Sequence, residues 1–312
     1  MTARVVGVGN AHLDLTHVVT SIPSPDDGAF ATDRYESSGG VEANVAVGLS
    51  RLGHDAAVIA RLGDDEYADR VVELLRAEGV DVGGVRIEPG DESSYCLVLR
   101  TREGERVIVG GGNSILRLQL READLETLSA ADVAVTSGYT PAMVLQALVD
   151  RPADGVAVAF DLAGTMDELR ERGYTRSLLD RTLPGVDLFV SNESAARSYL
   201  DGSASPVATL RDRGIDRGAL TRGERGATLW SGETVVDVPA YDVDVTETTG
   251  AGDAFTAGLV DAWLLDGRPP EDAGQFAAAT AALNTRRVGA QGGLPDRSAV
   301  DRWMASHSRP DS

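Results

Sequence analysis

Residues 247–258 read Glu-Thr-Thr-Gly-Ala-Gly-Asp-Ala-Phe-Thr-Ala-Gly. Phe255, Leu259 and Ala262/Trp263 then recur at helical spacing, and Gly267 with Pro269 beyond it marks a helix C-terminus. Gly250-Ala251-Gly252 therefore falls at a helix N-terminus, where unpaired backbone N–H groups and the positive end of the dipole favour an anion. Small residues let that anion approach the backbone closely. Asp253 follows in the first turn. An anion hole beside a carboxylate suits phosphoryl transfer. The amides stabilise the charge that gathers on the phosphoryl group, and the carboxylate takes the proton of the attacking hydroxyl. A bare Gly-Ala-Gly-Asp would read equally well as an acidic helix cap; the longer run makes the pattern specific.

The elements that must position this helix alternate along the chain. Arg4–Gly9, Ala56–Leu62, Asp132–Ser137, Val156–Asp161, Asp187–Ser191 and Ala219–Thr221 read as strands, with helical patterns such as Tyr67–Glu78, Pro141–Asp150 and Ser194–Leu200 between them. This order predicts an α/β fold with a central, mostly parallel, doubly wound sheet. Gly7/Gly9, Gly63, Ser137/Gly138, Asp161, Asn192 and Gly223 stand at strand ends, where open α/β sheets place their ligands. Two stretches break the alternation. Residues 14–38 are short extended pieces punctuated by Pro23, Pro25 and Gly28, and residues 93–110 form a hairpin, Ser94–Thr101 and Glu105–Val109, turning at Glu103-Gly104. Together they predict a small β lid inserted into a single domain spanning 1–312.

Composition narrows the partners. The 312 residues carry a net charge of −20, which argues against nucleic acid and anionic membranes. All 29 basic residues are arginine, facing 49 acidic ones. Such a carboxylate-dense surface suits a halophilic cytoplasm, where the Debye length falls to about 3 Å at 1 M salt and self-repulsion is screened; a GC-rich genome would also favour arginine codons. No apolar run spans a bilayer and the N-terminus reads as a strand, so a cytoplasmic location is expected. Cys96, the single cysteine, can form neither an internal disulfide nor a cysteine-cluster metal site. His12, His17, His54 and His307 show no metal-ligand spacing.

The segment 247–258 resembles the C-terminal signature of the ribokinase-like (PfkB-type) carbohydrate kinases, Asp-Thr-x-Gly-Ala-Gly-Asp-x-Phe-x-x-Gly. Gly39-Gly40-Val41-Glu42-Ala43-Asn44-Val45-Ala46, followed by Leu49 and Arg51-Leu52-Gly53, resembles the N-terminal signature. Gly7, Asn10 and Asp14 resemble the first strand and its sugar-contacting aspartate, and Thr221-Arg222-Gly223-Glu224-Arg225-Gly226 the nucleotide loop. Phe276–Pro295, with Gly289-Ala290, is similar to the terminal helix and adenine-side loop. The resemblance covers nearly the whole chain. It implies Asp253 as catalytic base and the amides of Gly250, Ala251 and Gly252 as anion hole. It further implies Asp14, Gly39, Gly40, Asn44 and Asn10 around the acceptor, Asn192, Thr221, Gly223, Gly226, Gly289 and Ala290 around ATP, Mg²⁺ with the nucleotide, and a homodimer through the lid.

Three positions depart from the family pattern. Glu247 replaces the aspartate associated with a monovalent-cation site, so K⁺ binding there has one methylene more to accommodate. The Asn-x-x-Glu motif reads Asn192-Glu193-Ser194-Ala195, without its last carboxylate. Val41 stands where a branch acting on phosphorylated sugars often carries lysine. Gly110-Gly111-Gly112-Asn113-Ser114 after the hairpin resembles the glycine- and asparagine-containing turn of neutral-sugar kinases, which implies a small neutral sugar (ketohexose or pentose) as acceptor. A nucleoside ranks second and 2-keto-3-deoxygluconate third; Arg100, Arg102 and Arg106 lie nearby on faces the sequence leaves open. Gly7-Val8-Gly9 lacks the third glycine of a dinucleotide fingerprint, since position 12 is His12, and no Gly-x-Ser-x-Gly elbow occurs. The rival from another class is a non-catalytic sugar or nucleotide sensor on the same fold, which would bind ligand without forming ADP.

Overall fold

A computed structural model of the chain describes residues 2–150 and 155–307. Its strands are β1 (Arg4–Val8), β2 (His12–Val19), β3 (Ala31–Gly39), β4 (Asp55–Gly63), β5 (Asp81–Glu88), β6 (Tyr95–Arg100), β7 (Arg106–Gly111), β8 (Val133–Ser137), β9 (Ala157–Asp161), β10 (Leu188–Asn192), β11 (Arg217–Thr221), β12 (Ala227–Ser231) and β13 (Thr234–Val238). Nine of them form one sheet in the order β13-β12-β11-β10-β9-β8-β1-β4-β5. From β5 to β11 the neighbours run parallel, and β12 and β13 close the far edge antiparallel.

The sheet is covered on both faces, which is why its strands read as unbroken apolar runs. Val6, Ala134, Phe160 and Phe189 face one layer, with helices Glu122–Ser129, Ala142–Asp150, Arg176–Thr182 and Glu193–Tyr199. Val5, Val133, Val135, Ala159, Leu188 and Val190 face the other, with helices Val41–Arg51, Ala251–Leu259, Pro270–Thr285 and Arg297–Ser306. The period of two along each strand places alternate residues in opposite layers.

Each strand expected from sequence is present to within a residue or two. The expected α/β class with a mostly parallel central sheet holds, while β5, β12 and β13 lay outside the sequence reading. The stretch 14–38 is more regular than short extended pieces: β2 and β3 are long partners, antiparallel from His12↔Gly39 to Val19↔Ala31. Their regularity escaped detection because β3, Ala-Thr-Asp-Arg-Tyr-Glu-Ser-Ser-Gly, has no apolar alternation. With the hairpin β6–β7 they make a separate four-stranded sheet, β3-β2-β6-β7, in which β2 and β6 run parallel.

Three helices of the second layer meet through missing side chains. A Cβ on Gly48 would lie 2.9 Å from Ala257 Cβ, and one on Gly258 only 2.7 Å from Ala277 Cα. The helix Ala251–Leu259 runs on as a π-helical segment, Val260–Leu265. No helix among the described residues is long and apolar enough to cross a membrane. Gly258→Ala should lower stability by roughly 1–2 kcal/mol, overpacking outweighing the gain in helix propensity. A denaturation midpoint equal to wild type would show slack at this crossing.

Candidate functional site

The site forms where helices Val41–Arg51 and Ala251–Leu259 begin, beside the carboxyl ends of β1 and β9. Gly40 precedes the first helix at φ 103°, and a Cβ there would stand 2.3 Å from the Asn10 carbonyl oxygen. Gly250 caps the second in the left-handed region, φ 74°, where a Cβ would meet the Ala290 carbonyl at 2.3 Å. Glycine is required at both positions by conformation and by space. Gly250, Ala251 and Gly252 thus stand at the start of a helix, the Ala251 amide donating to the Thr248 carbonyl at 3.2 Å, with Asp253 half-buried beside them.

Asp253 ends a directional chain of hydrogen bonds. Ser38 Oγ donates to Gln291 Oε1 (3.1 Å), Gln291 Nε2 to Asn44 Oδ1 (2.8 Å), and Asn44 Nδ2 to Asp253 Oδ2 (2.6 Å). Each amide uses its oxygen to accept and its nitrogen to donate, so the chain presents a donor to the carboxylate and favours its ionised form. Burial acts more strongly in the other direction. It lifts Asp253 to about 6, the Asn44 bond opposing the rise and the Glu42 charge adding to it. Asp161, at the end of β9, is pushed to about 7 by burial and by the charge of Asp253, although the Ala163 amide donates to it at 2.9 Å. Glu42 is fully buried below them, accepting from Asn10 N–H (2.9 Å) and Thr140 Oγ (2.8 Å), and its carboxyl is also raised by burial. Carboxylates crowded into low dielectric hold protons near neutrality, a property of groups that exchange them.

On the small sheet's side, Asn10 Nδ2 lies 3.1 Å from His12 Nδ1, and His12 Nε2 3.0 Å from Asp14 Oδ1. Gly39 faces this pair across the strands, where a Cβ would stand 2.4 Å from Asp14 Oδ2. Burial works against a charged His12, but its hydrogen bonds to Asp14 and Cys96 outweigh that and hold it up at about 10.

Glu247 is the hub of the loop before the anion hole. Its Oε2 accepts from Arg100 (2.6 Å) and from the Gly289 amide (3.1 Å), and its Oε1 from Thr249 Oγ (2.6 Å). Arg106 also reaches Thr249 Oγ. The Glu247 carboxylate, on which the sequence suggests a monovalent ion, is ion-paired with a guanidinium from β6, both side chains little exposed (11% and 13%).

The residues named for the nucleotide fall in two groups. Gly289 and Ala290 back the anion hole through Glu247 and Gly250. Asn192 and Thr221 are register partners at the ends of β10 and β11, and Gly223 and Gly226 form the turn that follows. The Asn192 side chain is spent on structure: it caps its helix by accepting from Ala195 N–H and donates to the Ala163 carbonyl. Glu193 is held by Arg197 and Arg225 and does not replace the missing carboxylate at Ala195. Sequence reasoning gave no role to Glu42, Gln291, His12 or Arg100, and knew Asp161 only as a strand end; a charged or amide residue in an apolar or glycine-rich context was the available signal.

The sequence matches the model of the pfkB family of carbohydrate kinases over residues 2–297. It is 30% identical to the ATP-dependent ribose-1-phosphate kinase of Halopiger xanaduensis, over 97% of this chain and 98% of that one. Among solved structures, the Arabidopsis thaliana ribokinase complexed with ribose and ATP aligns at TM-score 0.82 and 24% identity, over 99% and 100% of the two chains. An Escherichia coli protein described as a ribokinase II, in complex with ATP and Mg²⁺, aligns at 0.82 and 21%, over 98% and 100%. At these identities the two structures show a shared fold.

Carboxyl-labelled NMR of Asp253 should give a titration midpoint near 6, and Asn44→Ala should move it upward by removing the bond that favours the charged form. A midpoint at the usual aspartate value near 3.9 would overturn the electrostatic description of the site.

Proposed function

The chain belongs to the pfkB family of carbohydrate kinases and is a phosphotransferase with an alcohol group as acceptor, and we propose that it moves the γ-phosphoryl group of ATP to a hydroxyl of a small neutral sugar, a pentose or ketohexose, with Asp253 as base. The observation that carries this reading is Asp253 itself: a carboxylate at about 6, beside helix N-terminal amides and held by Asn44. The acceptor hydroxyl lies against Asp253 and loses its proton to Oδ as the oxygen attacks. Asp14, Asn10, Asn44 and the Gly39–Gly40 backbone bind and orient its other hydroxyls. The amides of Gly250, Ala251 and Gly252 take the charge of the transferring group. The turn at Gly223–Gly226 with Thr221, and the loop Gly289–Ala290, flank the nucleotide.

Mg²⁺ fits the donor set. Asp161 and Asp253 present hard carboxylate oxygens that, among the described residues, carry no arginine. Asp161 is the residue we place nearest the ion, since Asn192 and Glu193 are otherwise engaged. Bound with the nucleotide, the ion supplies neutralisation of phosphate charge.

A second reading, a phosphorylated pentose as acceptor, rests on Arg106. It shares a strand face with Arg100, reaches Thr249 beside the anion hole and forms no ion pair among the described residues. The named activity of the Halopiger protein agrees with it. The nucleoside, keto-deoxy acid and sensor readings stand behind both.

The small sheet acts as the lid, within a single 1–312 domain. Its face away from Asp14 carries Leu97, Leu99, Val107 and Val109, the last two 43% and 53% exposed, and we read this face as the contact of a cytoplasmic homodimer. Sedimentation as a monomer at assay concentrations would refute that contact.

ADP release with ATP, Mg²⁺ and ribose, fructose, ribose 1-phosphate, nucleosides and 2-keto-3-deoxygluconate tests the reading. We expect turnover on one class, a rise in rate with pH through about 6 as the Asp253–Asp161 pair loses its proton, and a loss of about 10²–10⁴-fold in Asp253→Asn. Exchanging KCl for a sodium or tetramethylammonium salt of equal ionic strength should leave the rate unchanged, because Arg100 already neutralises Glu247. No ADP from a folded, ligand-binding protein would install the sensor.

A further inference from the structure

Cys96 lies far along the chain from His12 and Asp14, yet the small sheet brings the three together. Asp14 and Cys96 are register partners on the parallel strands β2 and β6, and His12 stands two residues before Asp14 on the same face. A ring nitrogen of His12, an Asp14 oxygen and Cys96 Sγ all lie within 4.8 Å of one another, and His12 Nε2 is 3.0 Å from Asp14 Oδ1. Metal–ligand bonds of about 2.0–2.3 Å at tetrahedral angles separate ligand atoms by roughly 3.5 Å, so small side-chain rotations suffice.

The surroundings favour an ion. A Cβ on Gly39 would stand 2.6 Å from His12 Nε2, so glycine there keeps the cluster clear on one side. On the other side Cys96 pairs with Gly110, above which the space is open. Asn10 supplies the orienting contact. Its Oδ1 is buried without a hydrogen-bond partner, while its Nδ2 faces His12 Nδ1. Turning this amide over, an exchange of atoms of nearly equal density, brings Oδ1 onto Nδ1–H. That is the arrangement required of an imidazole that ligates through Nε2, its other nitrogen donating to a fixed acceptor.

We propose that His12, Asp14 and Cys96 form a site for a borderline-soft divalent ion of the Zn²⁺ type on the acceptor side of the lid. One thiolate, one imidazole and one carboxylate suit Zn²⁺ or Co²⁺ over Mg²⁺. The ion replaces the Nε2 and Sγ protons, which leave to solvent, and the thiolate and carboxylate balance its charge. Three protein ligands leave a fourth position for water. Because Asp14 cannot serve ion and acceptor together, the ion inhibits by competing with the sugar; this consequence rests on the reading of Asp14 as an acceptor ligand, whereas binding of the ion does not.

The test is a CoCl₂ titration of the full-length protein without nucleotide or Mg²⁺. We expect a saturable thiolate-to-cobalt charge-transfer band at one ion per chain, displaced by ZnCl₂. It should be absent in Cys96→Ser (the chain has no other cysteine) and at least tenfold weaker in affinity in His12→Ala and Asp14→Asn, with circular dichroism confirming that each variant is folded. In the ADP assay, ZnCl₂ should raise KM for the acceptor in wild type and not in Cys96→Ser, which keeps its turnover. No band, or a band of equal affinity in His12→Ala and Asp14→Asn, would reduce the cluster to a hydrogen-bonded trio and overturn the site. Should no acceptor yield ADP, the cobalt titration still decides it.

Discussion

The hydrogen bond from Asn44 to Asp253 joins residues 209 apart in the chain and is 2.6 Å long. For it to form, two helices must start side by side, and the approach of Gly48 to Ala257 one turn further in brings them to that distance. The glycine conformations at 40 and 250, the loop that delivers Gln291 and the strand that delivers Ser38 all serve the same juxtaposition. An amide inside an apolar helix is costly without partners. Here both of its polar atoms are bonded, and the resulting geometry holds a carboxylate at a helix N-terminus.

That arrangement accumulates like charge. Asp253, Asp161 and Glu42 occupy one buried neighbourhood, and Asp14 acts on Asp253 from the small sheet. The cost is offset by backbone amides, hydroxyls, retained protons and the charge of His12, and arginines stay at the margin. A cluster of like charge in low dielectric favours any ligand that brings positive charge to it, as the divalent ion proposed above would.

Those parts of the site with a local signature were readable before the structure. The run 247–258 announces a helix start with a carboxylate in its first turn, because the glycines, the aspartate and the apolar spacing are contiguous. Apolar strands of the large sheet were readable for the same reason. What the sequence hides is pairing. Gln291 reaches Asn44 from 247 residues away, and its glycine-rich surroundings mark the residue without naming that partner. β3 is polar along its length, so its place in a sheet depends on partners and not on its own pattern. Arg100 could be placed near the site, but the face it takes depends on the parallel register of β6 on β2. Asn192, which the resemblance places near the nucleotide, also caps the next helix at the end of β10, a bond its type alone does not reveal.

The Arg100–Glu247 pair has a consequence for how charge is controlled at the anion hole. A free cation at Glu247 would come and go with its concentration in the medium. A guanidinium is bonded to strand β6, keeps its proton at any accessible pH, and can leave only if the strand moves. The charge beside Glu247 is therefore set by conformation instead of by chemical potential, and the loop that leads into Gly250 registers where the small sheet is.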